Sequence, residues 1–290
     1  MQIMSTKEVS DYLNINEKKI YQLVKENEIP YTRVGGKIIF VREIIDRWIY
    51  KNTEMAGCLL ISGSDDLLFR EIIDHYNSDA DHPAFFASVG SINALKILKQ
   101  SRSHMSCVHI ADQSGKHNES YLDRYLNRSD YVVIRLFSRR QGLVVKAENP
   151  HKIKSIKDIV ARKLRFANRN KGSGTRLLID QMLYESSVSL SDDSICSPDS
   201  TSHIGAAMKV LRGEAEATVA VQHVAELLGL TFIPLVEEPF DLVVPVDQWE
   251  SRPARDFIKM LDQANLPGHL QNLSGYDISS MGNVFWKPGD

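Results

Sequence analysis

Cysteine is scarce in this chain of 290 residues. Cys58, Cys107 and Cys196 are odd in number and show no C-x-x-C spacing, which argues against a disulfide framework and a zinc ribbon and fits a reducing compartment. His104, Cys107 and His109 lie close together, but no second cluster stands at ligand spacing, so no metal site is expected. Long hydrophobic runs are also missing: no stretch of about 18 apolar residues occurs, and MQIMSTKEVSDYL has neither the basic start nor the apolar core of an export signal. A cytoplasmic protein is the expectation. Charge of one sign is lacking too, with a formal net charge of −2, so any nucleic-acid surface has to be local. Catalytic motifs complete the absences. Gly172-Ser173-Gly174 is not a G-x-S-x-G elbow, and there is no G-x-x-x-x-G-K-[ST] loop, H-E-x-x-H pair or G-x-G-x-x-G run. Nothing organises a nucleophile, and no enzyme is expected.

What is present fits a globular chain of two unequal domains: 43% hydrophobic and 25% charged residues over a length that exceeds one ordinary core. Residues 1–52 carry nine Lys/Arg against seven Asp/Glu, and the remainder 26 against 30. Ser5 with Glu8 three residues later forms a capping box, and Val9, Tyr12 and Leu13 follow at helical spacing, predicting a helix over about 5 to 13. Asn16 caps a second helix whose apolar face is Ile20, Leu23 and Val24 and which ends before Pro30. Gly35-Gly36 between two β-prone runs predicts a tight hairpin, a candidate wing. Val41 to about Lys51 then reads as a third helix with Ile44, Ile45, Trp48 and Ile49 inward.

Helix, turn, helix, wing and helix in this order resembles the winged-helix heads of excisionases and MerR-like regulators. The residues that carry the resemblance are Ser5 to Val9, Lys18 to Val24, Glu28-Ile29-Pro30 and Arg33 to Lys37. It implies that the second helix enters the major groove. Lys18, Lys19, Tyr21, Gln22 and Lys25 lie largely off that helix's apolar stripe and are candidates for DNA contact, with Arg33 and Lys37 flanking the wing turn. Glu17 and Glu26 on the same helix oppose phosphate, so a single head binds modestly and a homodimer on two half-sites is expected.

A short connector, residues 50–57, ties the head to a longer segment in which apolar β-like runs alternate with helical patterns, the rhythm of an open parallel sheet. Ser186 to Ser202 is expected to be a surface loop. Four strand-to-helix junctions carry small hydroxyl residues: Ser62 to Asp66, Gly90 to Asn93, Gly172 to Arg176, and Thr201 to His203. One such residue is usually a plain helix cap, but four converge on the idea of a shared cleft lined by free N–H donors. The ligand candidates are Ser62, Ser64, Ser91, Ser173, Gly174, Thr175, Arg176, Thr201 and His203. Arg176 pairs either with a ligand or with an acid across the cleft. Asp65 and Asp66 are awkward neighbours for an anion unless they point away.

Gly90-Ser91 with Ala94-Leu95, His109 to Asp112, Arg140 to Val145 with Asn149-Pro150, Asn168 to Arg176, Thr201 to Ala207 and Pro234-Leu235 through Asp241 to Val243 are similar to the periplasmic-binding-protein-like sensor domains found in regulators and fused to molybdopterin-biosynthesis domains. NRNKGSGTR is the most specific piece. The resemblance implies an α/β fold class: a small winged helix-turn-helix domain (1–52) plus a two-lobed type II periplasmic-binding-protein-like domain (57–290), with one lobe at about 57–130 and 246–290 and the other at about 131–245. Two strands would cross between the lobes near Tyr131–Leu136 and Asp241–Pro245. The function expected is a one-component, ligand-responsive transcription regulator that binds double-stranded DNA, with no cofactor and with a molybdate or tungstate oxyanion, a small organic acid or a cofactor precursor in the cleft. An architectural DNA binder with a non-sensing module, and an enzyme of cofactor metabolism, remain the alternatives.

Overall fold

A computed structural model describes residues 2–52, 57–110, 118–190 and 198–289, and the chain divides into two compact units, Met1–Ala56 and Gly57–Asp290. The first unit is β1 (Ile3–Ser5), α1 (Thr6–Leu13), α2 (Glu17–Lys25), β2 (Thr32–Val34), β3 (Lys37–Val41) and α3 (Arg42–Asn52). The capping box forms as the sequence predicts: the Ser5 N–H donates to Glu8 Oε2 at 2.7 Å and the Glu8 N–H to Ser5 Oγ at 3.3 Å. Asn16 Oδ1 accepts the Lys19 N–H at 2.9 Å and starts α2. Gly35 and Gly36 both have positive φ, +56° and +79°, the conformation that a two-residue hairpin turn needs.

Two features of the head differ from expectation. Ile3–Ser5 adds a third strand, antiparallel to β3, which a three-residue run is too short to signal. Val41 closes β3 rather than opening α3, so Ile45 is buried while Ile44 turns outward at 47% exposure. Met4, Val9, Ile20, Val24, Ile29, Phe40 and Ile45 form the core, and the Trp48 Nε1–H donates to Glu28 O at 2.6 Å.

The second unit runs β4 (Leu59–Gly63), α4 (Leu67–Asn77), β5 (Ala84–Ser88), α5 (Ser91–Lys99), β6 (Met105–Val108), α6 (Glu119–Tyr125), β7 (Tyr131–Val145), α7 (Ile156–Ala161), β8 (Phe166–Ala167), α8 (Gly174–Glu185), α9 (His203–Leu211), β9 (Ala217–Val221), α10 (Gln222–Leu227) and β10 (Thr231–Pro245). It ends with α11 (Val246–Trp249), α12 (Arg252–Met260), α13 (Gly268–Gln271), β11 (Tyr276–Asp277) and β12 (Val284–Trp286). The sheet order is β5-β4-β6-β10-β7-β9-β8, with β11 and β12 added on β7. The expected parallel pairs occur at the two ends, β4 with β5 and β6, and β8 with β9. The centre is antiparallel: β7 and β10, each 15 residues long, pair along their length.

These two strands join the lobes. At one end they pair with β6 and β12 over the first core, which includes Phe69, Ile72, Leu136, Phe137, Phe240 and Phe257. At the other, β7 pairs with β9 over the second core of Leu143, Ile156, Phe166, Ile179 and Val219. The passage between lobes therefore lies between Phe137 and Leu143 on β7 and between Val236 and Phe240 on β10. The expected crossings at Tyr131–Leu136 and Asp241–Pro245 belong instead to the first lobe's sheet, because strands this long, about 50 Å at 3.3 Å per residue, run through both lobes without a break. Of the segments singled out in the sequence, parts of the connector, of the His109 to Asp112 run and of the Ser186 to Ser202 stretch lie outside the described residues.

Phe240 fixes the crossing, stacked on Phe137 at a centroid distance of 4.9 Å and facing the Arg139 guanidinium at 4.7 Å. Phe240→Ala is expected to cost about 3–5 kcal/mol, read as a lower midpoint in urea unfolding monitored by tryptophan fluorescence.

Candidate functional site

The sequence YVVIRLFSRRQGLVV makes β7 an apolar strand interrupted by charge, and its register puts Arg139 opposite Glu238 on β10 and Tyr276 on β11. Arg139 is fully buried. Its Nε–H donates to Glu238 Oε1 at 2.8 Å and its Nη1–H to Asp66 Oδ2 at 2.5 Å and to Asp65 O at 3.2 Å. Burial opposes a charge here, but Glu238 and Asp66 raise the guanidinium above its ordinary value. Burial likewise works against an ionised Glu238, yet the facing His109 and Arg139 hold it down at about 2. The Tyr276 hydroxyl donates to Asp66 Oδ2 at 2.9 Å, while Asp66 Oδ1 caps α4 by accepting the Phe69 N–H.

His109 bridges this ionic floor to the first lobe. Its Nδ1 lies 2.8 Å from Glu238 Oε1, and its Nε2 lies 2.7 Å from Ser64 Oγ. Burial and then Arg139 lower its pKa, which favours the neutral ring over the imidazolium. Ser91 clamps the His109 backbone: its Oγ accepts the His109 N–H at 3.1 Å and donates to His109 O at 3.2 Å.

The second lobe closes directly onto these residues. Gly174 starts α8 so near His109 that an added Cβ would sit 2.1 Å from His109 O, and Gly90 leaves only 2.9 Å for a Cβ beside Gly172 O. The His203 N–H at the start of α9 donates to Asp65 Oδ2 at 2.9 Å. Arg169, 1% exposed, extends its Nε–H to Ser200 O and an Nη2–H to Thr201 O. Burial lowers its pKa to about 10 even with Asp65 nearby to support the charge, so it stays protonated at neutral pH.

Several buried atoms in this region have no hydrogen-bond partner among the described residues: Arg139 Nη2, Arg169 Nη1, Thr175 Oγ1, Ser200 Oγ and both ring nitrogens of His203, with Gln141 Oε1 as an acceptor. Leaving a buried donor unmatched costs about 1–3 kcal/mol, more for a charged group. They gather at the lobe junction, near the N-termini of α8 and α9, and most of them are donors.

The sequence-derived candidates divide on this geometry. Ser64, Ser91, Gly174, Thr175 and His203 come together at the lobe junction. Ser173 caps its own helix, accepting the Arg176 N–H and donating to Asn170 O. Ser62, inside β4, is drawn under α5, 3.0 Å from Ser103 Oγ and 2.7 Å from Ser106 Oγ, whereas Ser64 lies beyond the strand's end at Gly63 and reaches His109 instead. Arg176 neither bridges the lobes nor reaches the cleft: its Nε–H donates to Asp180 at 2.8 Å and its Nη1–H to Asp199 and Arg169 O, all on its own lobe. Thr201 is exposed and offers only its carbonyl oxygen, to Arg169. Asp66 points away from the cleft as an anion site requires, and Asp65 does not. Sequence reasoning missed Arg139, Gln141, Arg169 and Glu238 as site residues. The available signal was the matched charge of Arg139-Arg140 and Glu237-Glu238 inside two apolar strands.

In the head, Lys18, Lys19, Tyr21, Gln22, Lys25, Arg33 and Lys37 are all exposed, the first five on α2 and the last two on either side of the hairpin turn. The Lys19 ammonium donates to Gln22 Oε1 at 3.3 Å, and the Gln22 amide to Glu26 at 3.0 Å. The Arg33 guanidinium lies over the Tyr31 ring at 5.6 Å.

A family model described as the PBP superfamily domain matches residues 74–262. The chain belongs to that family. Residues 3–53 match the family model of a helix-turn-helix domain. A relative in Bacillus subtilis (strain 168), "Uncharacterized protein YvgK", is 28% identical over 302 residues, which covers 96% of each chain. Among solved structures, this PBP-family chain shares its fold with the tungstate ABC transporter of Geobacter sulfurreducens (TM-score 0.54, 14% identity, 75% of this chain and 97% of that one). It also shares it with the regulatory domain of a HypT variant from Salmonella typhimurium (TM-score 0.53, 12% identity, 72% and 98%).

The two buried histidines set a pH dependence. Burial lowers the pKa of both His109 and His203, with Arg169 and Arg139 adding to the effect at His203. Their folded values lie below the ordinary 6.5, so the unfolded chain binds more protons and stability falls as pH drops below that value. The thermal midpoint of the full chain is expected to fall between about pH 7.5 and pH 5, and His203→Gln is expected to flatten that slope in calorimetric scans.

Proposed function

We propose that this protein is a cytoplasmic, one-component transcription regulator in which the helix-turn-helix head binds double-stranded DNA and the cleft of the PBP-like domain binds a small anion. The observation that carries the ligand half is the set of buried, unmatched donors on Arg139, Arg169, Thr175, Ser200 and His203 between two lobes. The match of residues 3–53 to a helix-turn-helix domain carries the DNA half. The regulatory domain of HypT supports the combination, since the same two-lobed fold serves there as the regulatory part of a protein.

The chemistry of the cleft favours an anion with several oxygens. Two guanidinium groups and a threonine hydroxyl suit a carboxylate or a tetrahedral oxyanion, and the likeness to a tungstate transporter keeps molybdate and tungstate among the candidates. No described helix is long and apolar enough to cross a membrane. With only one basic helix and one wing per head, tight binding calls for two heads, and a homodimer on a two-half-site operator is the assembly we propose.

The head contacts are tested by measuring affinity for duplex DNA against salt concentration. Each phosphate contact contributes a slope of about −0.9 in log K against log salt. Lys19→Ala and Arg33→Ala are each expected to weaken binding and reduce the slope by about one contact per head. Unchanged affinity and slope in both variants would remove this face from the DNA interface.

A further inference from the structure

Asp65 sits where an anion would be held. It is carried by the first lobe, in the turn between β4 and α4, and is 6% exposed. One carboxylate oxygen, Oδ1, accepts from Arg70 at 3.0 Å. The other, Oδ2, crosses the cleft to accept the His203 N–H at the start of α9, a nine-residue helix, at 2.9 Å. Arg169, whose charge Asp65 supports, flanks the same place with its Nη1 unmatched. Thr175 Oγ1, Ser200 Oγ and the His203 ring are also unmatched and buried.

The geometry points to Asp65 as a built-in surrogate ligand: its carboxylate latches the lobes together at the N-terminus of α9, and a small oxygen-bearing anion, carboxylate or tetrahedral oxyanion, binds beside Arg169 by taking its place. The proposal rests on the reading of the cleft as a small-anion site. The exchange has a physical reason. Tethered to the first lobe and shared with Arg70, the Asp65 carboxylate has one oxygen to offer the second lobe and satisfies one donor there. A free anion has two to four oxygens at the same helix terminus, and can match Arg169 Nη1 and the Thr175 and Ser200 hydroxyls as well. The entering anion repels the Asp65 carboxylate, and that repulsion drives the side chain out toward Arg70, which is 46% exposed. The latch thus sets a threshold: only an anion that satisfies more donors than Asp65 does can displace it.

The test follows thermal unfolding of the full chain, as wild type, Asp65→Ala and Asp65→Asn, against sodium formate, phosphate and molybdate at ionic strength held constant with sodium chloride. Formate is the carboxylate that Asp65→Ala deletes, and phosphate and molybdate are the tetrahedral arm. A saturable rise in midpoint is expected for at least one anion, with half-saturation at least about tenfold lower in Asp65→Ala than in wild type, because the competing group is gone. Adding Arg169→Gln to Asp65→Ala is expected to abolish that response. Should Asp65→Ala fail to fold, Asp65→Asn keeps the shape and the acceptor for the His203 N–H while removing the charge, and the same direction of change is expected. Equal or tighter anion binding by wild type overturns the latch and leaves the anion reading of the cleft standing. No response to any of the three anions, in wild type and variants alike, overturns both.

Discussion

A guanidinium with no access to water has to be neutralised where it stands, and the position of Arg139 on the crossing strand β7 imposes that constraint on the whole PBP-like domain. Asp66 comes from the first lobe, Glu238 from the other crossing strand and Tyr276 from the C-terminal segment, and each is held at the Arg139 side chain or its immediate partner. Removing one member of such a buried set strands the others' charges at a cost of several kcal/mol. The ionic floor therefore ties β7 to three other parts of the chain far apart in sequence, at the place where the two lobes meet. His109 extends it to Ser64 and, through its backbone, to Ser91.

The floor also determines what the cleft offers a ligand. The carboxylates of Asp66 and Glu238 are turned to Arg139, and Asp66 also to a helix cap, so the groups left without partners are mainly donors. The N-terminus of α8 lies at His109 and that of α9 at Asp65, both at the lobe junction. In a chain with a net charge of −2, the unmatched groups at the lobe junction are nonetheless mainly donors, so bulk charge is a poor guide to local chemistry. Asp65 is the exception among the acids, since it reaches across to α9 and makes closure of the lobes depend on an acid that a ligand has to outcompete.

Much of the fold was legible in the sequence, and for identifiable reasons. The head announces itself through local chemistry: the Ser5–Glu8 box, the Asn16 cap and the Gly35-Gly36 turn each act within four residues, and each forms as read. The body's strands and helices were legible from apolar periodicity, but their pairing was not, because the register of β7 against β10 links residues about a hundred positions apart. The same distance hid the site. Ser64, Ser91, Thr175 and His203 were readable as helix-start residues, whereas Arg176 looked like a ligand group beside a glycine-rich turn and is in fact occupied by Asp180 and Asp199. Arg139 and Glu238 draw their meaning from a cross-strand pairing that sequence spacing does not reveal. Ile3–Ser5 was missed because a three-residue strand has no period to detect.

In the regulator proposed above, occupancy of the anion cleft changes the DNA affinity of the head. The direct measurement is the dissociation constant of the full chain for a duplex selected by the protein from its own genome, at fixed ionic strength, with and without a saturating concentration of the anion that most stabilises the PBP-like domain. Coupling between two such sites is typically worth about 1–3 kcal/mol, or a factor of about 5–150. A change of at least about fivefold, in either direction and lost in Arg169→Gln, is expected. Identical DNA affinity at saturating anion would contradict it, leaving a DNA-binding head and an anion-binding domain that share a chain without sharing a function.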